Sequence, residues 1–200
     1  MANSILGIYN LALQHLGMKK ISSLVGTDPS TVALNNYYAP CRDDVFRELK
    51  WPFATVQATL NESAITVPLD WSYAYDHPTQ NCAAIWCVFN EATYLDKDDQ
   101  DYQILYDPTT ASKFICSNLE DAYYEYTYIV EDPTIWDAKF YLALSYKLAA
   151  ATAHVLLGDA EKGLKLMEAY NGILAEAKRI SAYEKLRKPN QDSSYQNSRG

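Results

Sequence analysis

Apolar positions Ile5, Tyr9, Ala12, Leu13 and Leu16 recur at the spacing of a one-sided helix, with Asn3 or Ser4 as its cap and Gly17 at its stop. Asp28 and Pro29 form a cap and first-turn proline for a second helix, whose face carries Leu34, Tyr38, Cys41, Val45 and Leu49. Pro40 falls inside it. A proline there removes one ladder bond and crowds the carbonyl four residues back, so the pattern predicts a kink or two separate helices. Pro52 then halts the helix near Lys50 by pushing Trp51 out of the helical region. Loops usually carry small polar residues at such a corner. Trp51 and Phe53 flanking the proline instead predict a buried hinge between a helical layer and a sheet layer.

From about Phe53 to Val130 the chain changes to short runs rich in Thr, Val, Ile, Tyr and Cys, broken by Pro68, Pro78 and Pro108. Strands are predicted at Ala54 to Leu60, Ala83 to Phe89, Tyr102 to Leu105, Lys113 to Cys116 and Tyr123 to Ile129, forming one small antiparallel sheet. In the last strand Tyr124, Tyr126 and Tyr128 share one face, and Tyr123, Glu125, Thr127 and Ile129 the other, so both faces are expected to be covered. Asp132-Pro133 is read as the start of a long helix to about Leu157, with Trp136, Phe140, Leu144, Leu148, Ala151 and Val155 on one face. The stretch from Phe140 to Leu157 is apolar enough to raise the question of a membrane span. Lys147 at its middle, and the alanines from Ala149 to Ala153, favour a central buried helix. Gly158-Asp159 makes a short turn into a fourth helix through Leu166, Tyr170, Ile173, Ala177 and Ile180. From Pro189 the chain is polar and uncapped, and is expected to be a flexible tail.

The predicted class is therefore α+β, mainly α. A four-helix-type bundle is expected from residues 1–52 and 131–188, with an antiparallel β module of residues 53–130 inserted and a tail of residues 189–200.

A length of 200 residues suffices for this plan, and the net charge of -8 with a pI near 4.8 argues against gripping nucleic acid through its phosphates. The first residues, Met1-Ala2-Asn3-Ser4, have neither a basic region nor a following apolar stretch, so the protein is expected to stay where it is made. Seventeen tyrosines supply broad contact area with polar tips, which suits an assembly subunit. Charge is unevenly placed. Glu91 to Asp132 holds eleven acidic residues and two lysines, whereas Glu161 to Gly200 carries eight basic and five acidic residues. The run containing Asp96, Asp98, Asp99 and Asp101 reads either as a solvated loop or as a wall past which DNA slides without ion pairs to break. The basic end, with Lys178, Arg179, Lys185, Arg187 and Lys188, reads either as the complement of a helix dipole or as a docking arm for an acidic partner.

Catalytic signatures are thin. The chain has no nucleophile elbow, P-loop, dinucleotide fingerprint or H-E-x-x-H. Cys41, Cys82, Cys87 and Cys116 lack C-x-x-C spacing and are read as reduced, mostly buried thiols. Cys82 and Cys87 would lie on opposite strand faces, which disfavours a shared metal. His15, His77 and His154 are scattered; His77 reads as a loop residue and His154 as packed or hydrogen-bonded. No catalytic, metal or cofactor site is expected.

The ordered set Asn10-Leu11-Ala12-Leu13 with Leu16-Gly17, Ile21 to Leu24, Tyr37-Tyr38, Arg42-Asp43-Asp44-Val45-Phe46-Arg47-Glu48 and Trp51-Pro52-Phe53-Ala54 resembles the opening of the tail tubular protein A family. Members of this family are the head-to-tail adaptors of short-tailed bacteriophages. The likeness continues through Trp71-Ser72-Tyr73-Ala74-Tyr75-Asp76-His77-Pro78, Trp136-Asp137, Phe140 and the stretch from Leu148 to Ala153. It covers most of residues 3–180, while Pro40, the acidic run and the tail after Pro189 have no match in it. The resemblance implies a non-enzymatic virion subunit, assembled in the host cytoplasm. Such subunits form a ring, typically twelvefold, between the portal protein and the tail nozzle, a tail tubular protein B-like ring, with double-stranded DNA passing unbound down the lumen. Trp51, Pro52 and Phe53 form the signature corner. Lys185, Arg187, Lys188, Tyr195 and Arg199 are the candidate portal-docking arm, and Asp96, Asp98, Asp99 and Asp101 are candidates to face the lumen or solvent. Two alternatives stay open: a head-completion protein of a long-tailed phage, or a tail-associated cell-wall glycosidase using acids such as Glu120, Asp121 or Glu125.

Overall fold

The computed structural model describes residues 3–184. Helix α1, Ile5–Leu16, is capped by the Ser4 hydroxyl, which accepts from the Gly7 amide, and ends at Gly17 in the left-handed region with φ 75°. Helix α2, Pro29–Glu48, starts where the Asp28 carboxylate accepts from the Thr31 amide. It runs through Pro40 as one helix, so the expected split does not occur. Asn36 and Pro40 lie on its exposed side, where water can replace the lost ladder bond.

Six strands follow: β1 Thr55–Thr59, β2 Tyr73–Asp76, β3 Cys82–Phe89, β4 Tyr102–Asp107, β5 Ser112–Ser117 and β6 Tyr123–Tyr128. They form two antiparallel three-stranded sheets, ordered β1-β6-β3 and β2-β5-β4, in place of the single sheet expected. The sequence reading also missed β2. The two sheets pack face to face. Tyr124, Val88 and Leu60 meet Tyr75 and Ile115 across the gap, and the Tyr102 hydroxyl donates to the Ile85 carbonyl at 2.9 Å. Burial pushes Tyr124 up to about 12. Ile65, Val67 and Trp71, from the segment between β1 and β2, cover the outer face of the second sheet around Phe114 and Cys116. Strand β3 has two register irregularities against β6, and two extra residues restore parity, so Cys82 and Cys87 remain on opposite faces.

Helix α3, Ala138–Leu157, is capped by Asp137, whose carboxylate accepts from the Lys139 amide. The Asp132-Pro133 device opens only a short 3-10 turn, Pro133–Ile135, which corrects the expected start of the long helix. None of residues 140–153 is exposed, because α1, α2 and α4 (Ala160–Glu184) all pack on α3. Lys147 is no obstacle, since its ammonium pairs with Asp44 at 2.5 Å and lies over the Tyr170 ring. Gly163 lets α4 approach closely; an added Cβ would stand 3.2 Å from the Ala150 carbonyl oxygen. By length and composition α3 could cross a membrane, but its middle turns are enclosed by the other helices.

In the β4–β5 turn Ala111 holds φ 52°, a left-handed conformation that an L side chain resists. Ala111→Gly is expected to raise stability by about 1 kcal/mol, read as a higher urea midpoint at unchanged slope. His15 stacks on Tyr146 with ring centroids 3.9 Å apart, and burial lowers its pKa from the ordinary 6.5. The charged form is disfavoured in the fold, so this contribution is complete above pH 6.5 and is lost as pH falls toward the depressed value. Burial lowers His77 in the same direction. Unfolding measured from pH 7.5 to 5 should show stability falling with pH, less steeply in His15→Gln.

Candidate functional site

Helices and sheets meet at an aromatic knot built from two similar corners. The Trp51 indole donates to the Val45 carbonyl at 2.9 Å, tying the chain after α2 back onto that helix. The Trp136 indole donates to the Val130 carbonyl at 2.8 Å, doing the same where the chain returns from β6. Both rings, with Phe46 and Phe53, surround Phe140, their centroids 4.4 to 5.3 Å from its own. Trp51 is buried as expected for a hinge, Phe53 is half-buried, and Pro52 opens a 3-10 turn leading directly into β1.

Below this knot lies a carboxylate that sequence reasoning offered only as one acid among many. Glu125, in the middle strand of the first sheet, is 4% exposed. Its Oε1 pairs with Lys50 at the end of the α2 region, and its Oε2 is 2.6 Å from both Lys97 Nζ and Gln57 Nε2. One side chain thus joins the helical corner, β1 and the acidic run. Its charge is compensated on two sides, as a buried carboxylate requires. No sequence signal points from Glu125 to Lys50 or Lys97, which are distant along the chain.

The acidic run begins in two short 3-10 turns within Tyr94–Asp99, joined across a non-helical Asp96, and Asp101 follows them. Asp96, Asp98, Asp99 and Asp101 are all exposed, whereas Lys97 turns inward, lying over the Phe89 and Tyr94 rings on its way to Glu125. Glu120 and Asp121 are exposed beside Glu91 on an open depression of about 540 Å³ at the end of the first sheet. The structure does not bring Glu120 or Asp121 together with the buried Glu125 as a set of converging acids. A smaller apolar groove of about 200 Å³, lined by Trp51, Phe53, Ala177 and Ile180 among others, runs along the signature corner.

Cys41, Cys87 and Cys116 are buried and Cys82 half-buried; burial pushes the Cys41 and Cys82 thiols up to about 11, far from a reactive thiolate. His77 is in a loop, its Nδ1 2.8 Å from the Pro78 carbonyl. His154, expected to be packed or hydrogen-bonded, is exposed in the last turn of α3. Among the described residues no three His, Cys, Asp or Glu side chains gather in a way that could hold a metal ion. Lys178 and Arg179 are exposed on α4, whereas Lys185, Arg187, Lys188, Tyr195 and Arg199 lie outside the described residues. The chain matches no protein-family model and no curated protein.

Proposed function

We propose that this protein is a head-to-tail adaptor subunit, forming a ring between a phage portal and the tail nozzle through which the genome passes. In this reading α1–α4 act as a four-helix-type bundle, and the paired sheets form the inserted module that reaches toward neighbouring rings. The observation that carries the reading is the aromatic knot at Phe140. It packs both linkers between the helical body and the β module against α3, as expected of a part that transmits position between rings. The capture of Glu125 by two lysines supports it further, because that carboxylate is committed to holding layers together. The net charge of -8 suits a wall that DNA passes without adhering.

The test is co-sedimentation with the portal ring of the same phage. The full chain should travel with the portal, and a chain ending after Lys188 should bind more weakly. Unchanged affinity after that truncation would remove Tyr195 and Arg199 from the docking arm and leave Lys185, Arg187 and Lys188 as its candidates. Absence of any binding by the full chain would remove the adaptor function itself.

A further inference from the structure

Each sheet has two edge strands, and among the described residues one edge of each sheet is covered. The chain leaving β1 runs along β2, where the Asp76 amide donates to the Asn61 carbonyl, the Ser63 amide donates to the Ala74 carbonyl and Glu62 bridges to Tyr75. Strand β3 has the Tyr94–Asp99 segment beside it, and its Ile85 carbonyl accepts from the Tyr102 hydroxyl. The other two edges are β1 in the first sheet and β4 in the second, with no further strand alongside among the described residues. They face opposite flanks. Tyr102 places β4 over β3, and Glu62 places β2 next to the end of β1, so the two bare edges point away from each other. Both lack the features that keep edge strands from pairing with another chain. Neither Thr55–Thr59 nor Tyr102–Asp107 contains a lysine or proline, and their registers against β6 and β5 run without a bulge. Apolar side chains project along them, with Val56 38% exposed, Ile104 40% and Tyr106 60%.

We propose that β1 of one molecule pairs with β4 of a second copy, continuing the first sheet of one into the second sheet of the next. The main-chain amides and carbonyls of an edge supply the recognition, as in other cases of strand addition. The two strands match in length, at five and six residues. Pairing two β4 strands would gather four carboxylates, Asp101 and Asp107 of each copy, along one short ribbon, whereas β1 is uncharged. Pairing two β1 strands would leave β4 bare. Because the two edges differ and lie on opposite flanks, one molecule can engage two neighbours at once. Such a heterologous contact generates a ring if the rotation closes. The inference rests on the ring-subunit reading and supplies its subunit contact.

The test is cross-linking with a short bismaleimide, whose reach of about 7–8 Å matches the diagonal spacing across paired strands and so tolerates a shift of register. Thr59→Cys and Gln103→Cys, both at exposed positions, are made in separate full-length chains and mixed at high concentration without portal. Leu69→Cys, fully exposed between β1 and β2, replaces either one as the control. Links from Thr59→Cys to Gln103→Cys are expected to exceed like-with-like links and control links about tenfold. Adding Val56→Lys to the Thr59→Cys chain, or Ile104→Lys to the Gln103→Cys chain, should remove most of that excess. The same lysines placed in the opposite chains, where the altered strand takes no part in the measured link, should leave it intact. A misfolded variant would lose the links in either placement. Links no more frequent than with Leu69→Cys, a predominance of like-with-like links, or equal loss for both placements of a lysine overturns the proposal. Because portal capture is measured separately, capture without these links rejects this contact alone, whereas links without capture support the strand pairing and reject the adaptor role.

Discussion

Phe140→Ala is expected to cost about 3–5 kcal/mol, a large part of the stability of any single domain. The ring is fully buried, and four aromatic neighbours, Phe46, Trp51, Phe53 and Trp136, stand against it from α2, from the corner and from the chain entering α3. These rings are large and stiff, and both tryptophans are held by hydrogen bonds to Val45 and Val130, so the cavity cannot collapse readily. Residual cavity volume adds directly to the lost transfer energy. Urea unfolding should show a much lower midpoint at unchanged slope. Phe140→Leu, which refills most of the space, should recover more than half of the loss. A loss below about 1 kcal/mol for alanine would mean that the knot does not hold helices to sheets.

The second large effect concerns the carboxylate under the knot. Removing both cations, in Lys50→Met/Lys97→Met, is expected to cost about 3–5 kcal/mol, because Glu125 stays buried with only Gln57 to stabilise it. Each single variant leaves one lysine on the carboxylate and should cost much less, so the double loss should exceed the sum of the singles. That excess is the signature of groups acting on one charge. Adding Glu125→Leu to the double variant should recover most of the stability, since an apolar trio of similar volume has no charge to desolvate. Additive singles would show that the two lysines act independently.

Much of this arrangement was legible in the chain because it depends on neighbours in sequence. Ser4, Asp28, Gly17 and Gly158 act on residues within one turn, and the helix ends they mark were read correctly. Five of the six strands stood out through Thr, Val, Ile and Tyr enrichment. β2 did not, being four residues long between a tryptophan-serine pair and a His-Pro turn. The division into two sheets was hidden for a different reason: alternation fixes which face a residue takes, not which strand it pairs with. Asp132-Pro133 misled because Asp137, five residues on, is an equally good cap, and Trp136 folds back to Val130 instead of entering the helix. Glu125 shows the same limit at the candidate site. Its meaning lies in Lys50 and Lys97, brought to it only by the packed layers.

The central claim, that this chain works as one member of a ring stacked on a portal, is tested most directly by single-particle electron microscopy of portal rings saturated with the purified protein. The account predicts an added closed ring, typically twelvefold, coaxial with the portal and open along the axis. Portal particles unchanged at saturating protein, or extra density that blocks the axis, would contradict it.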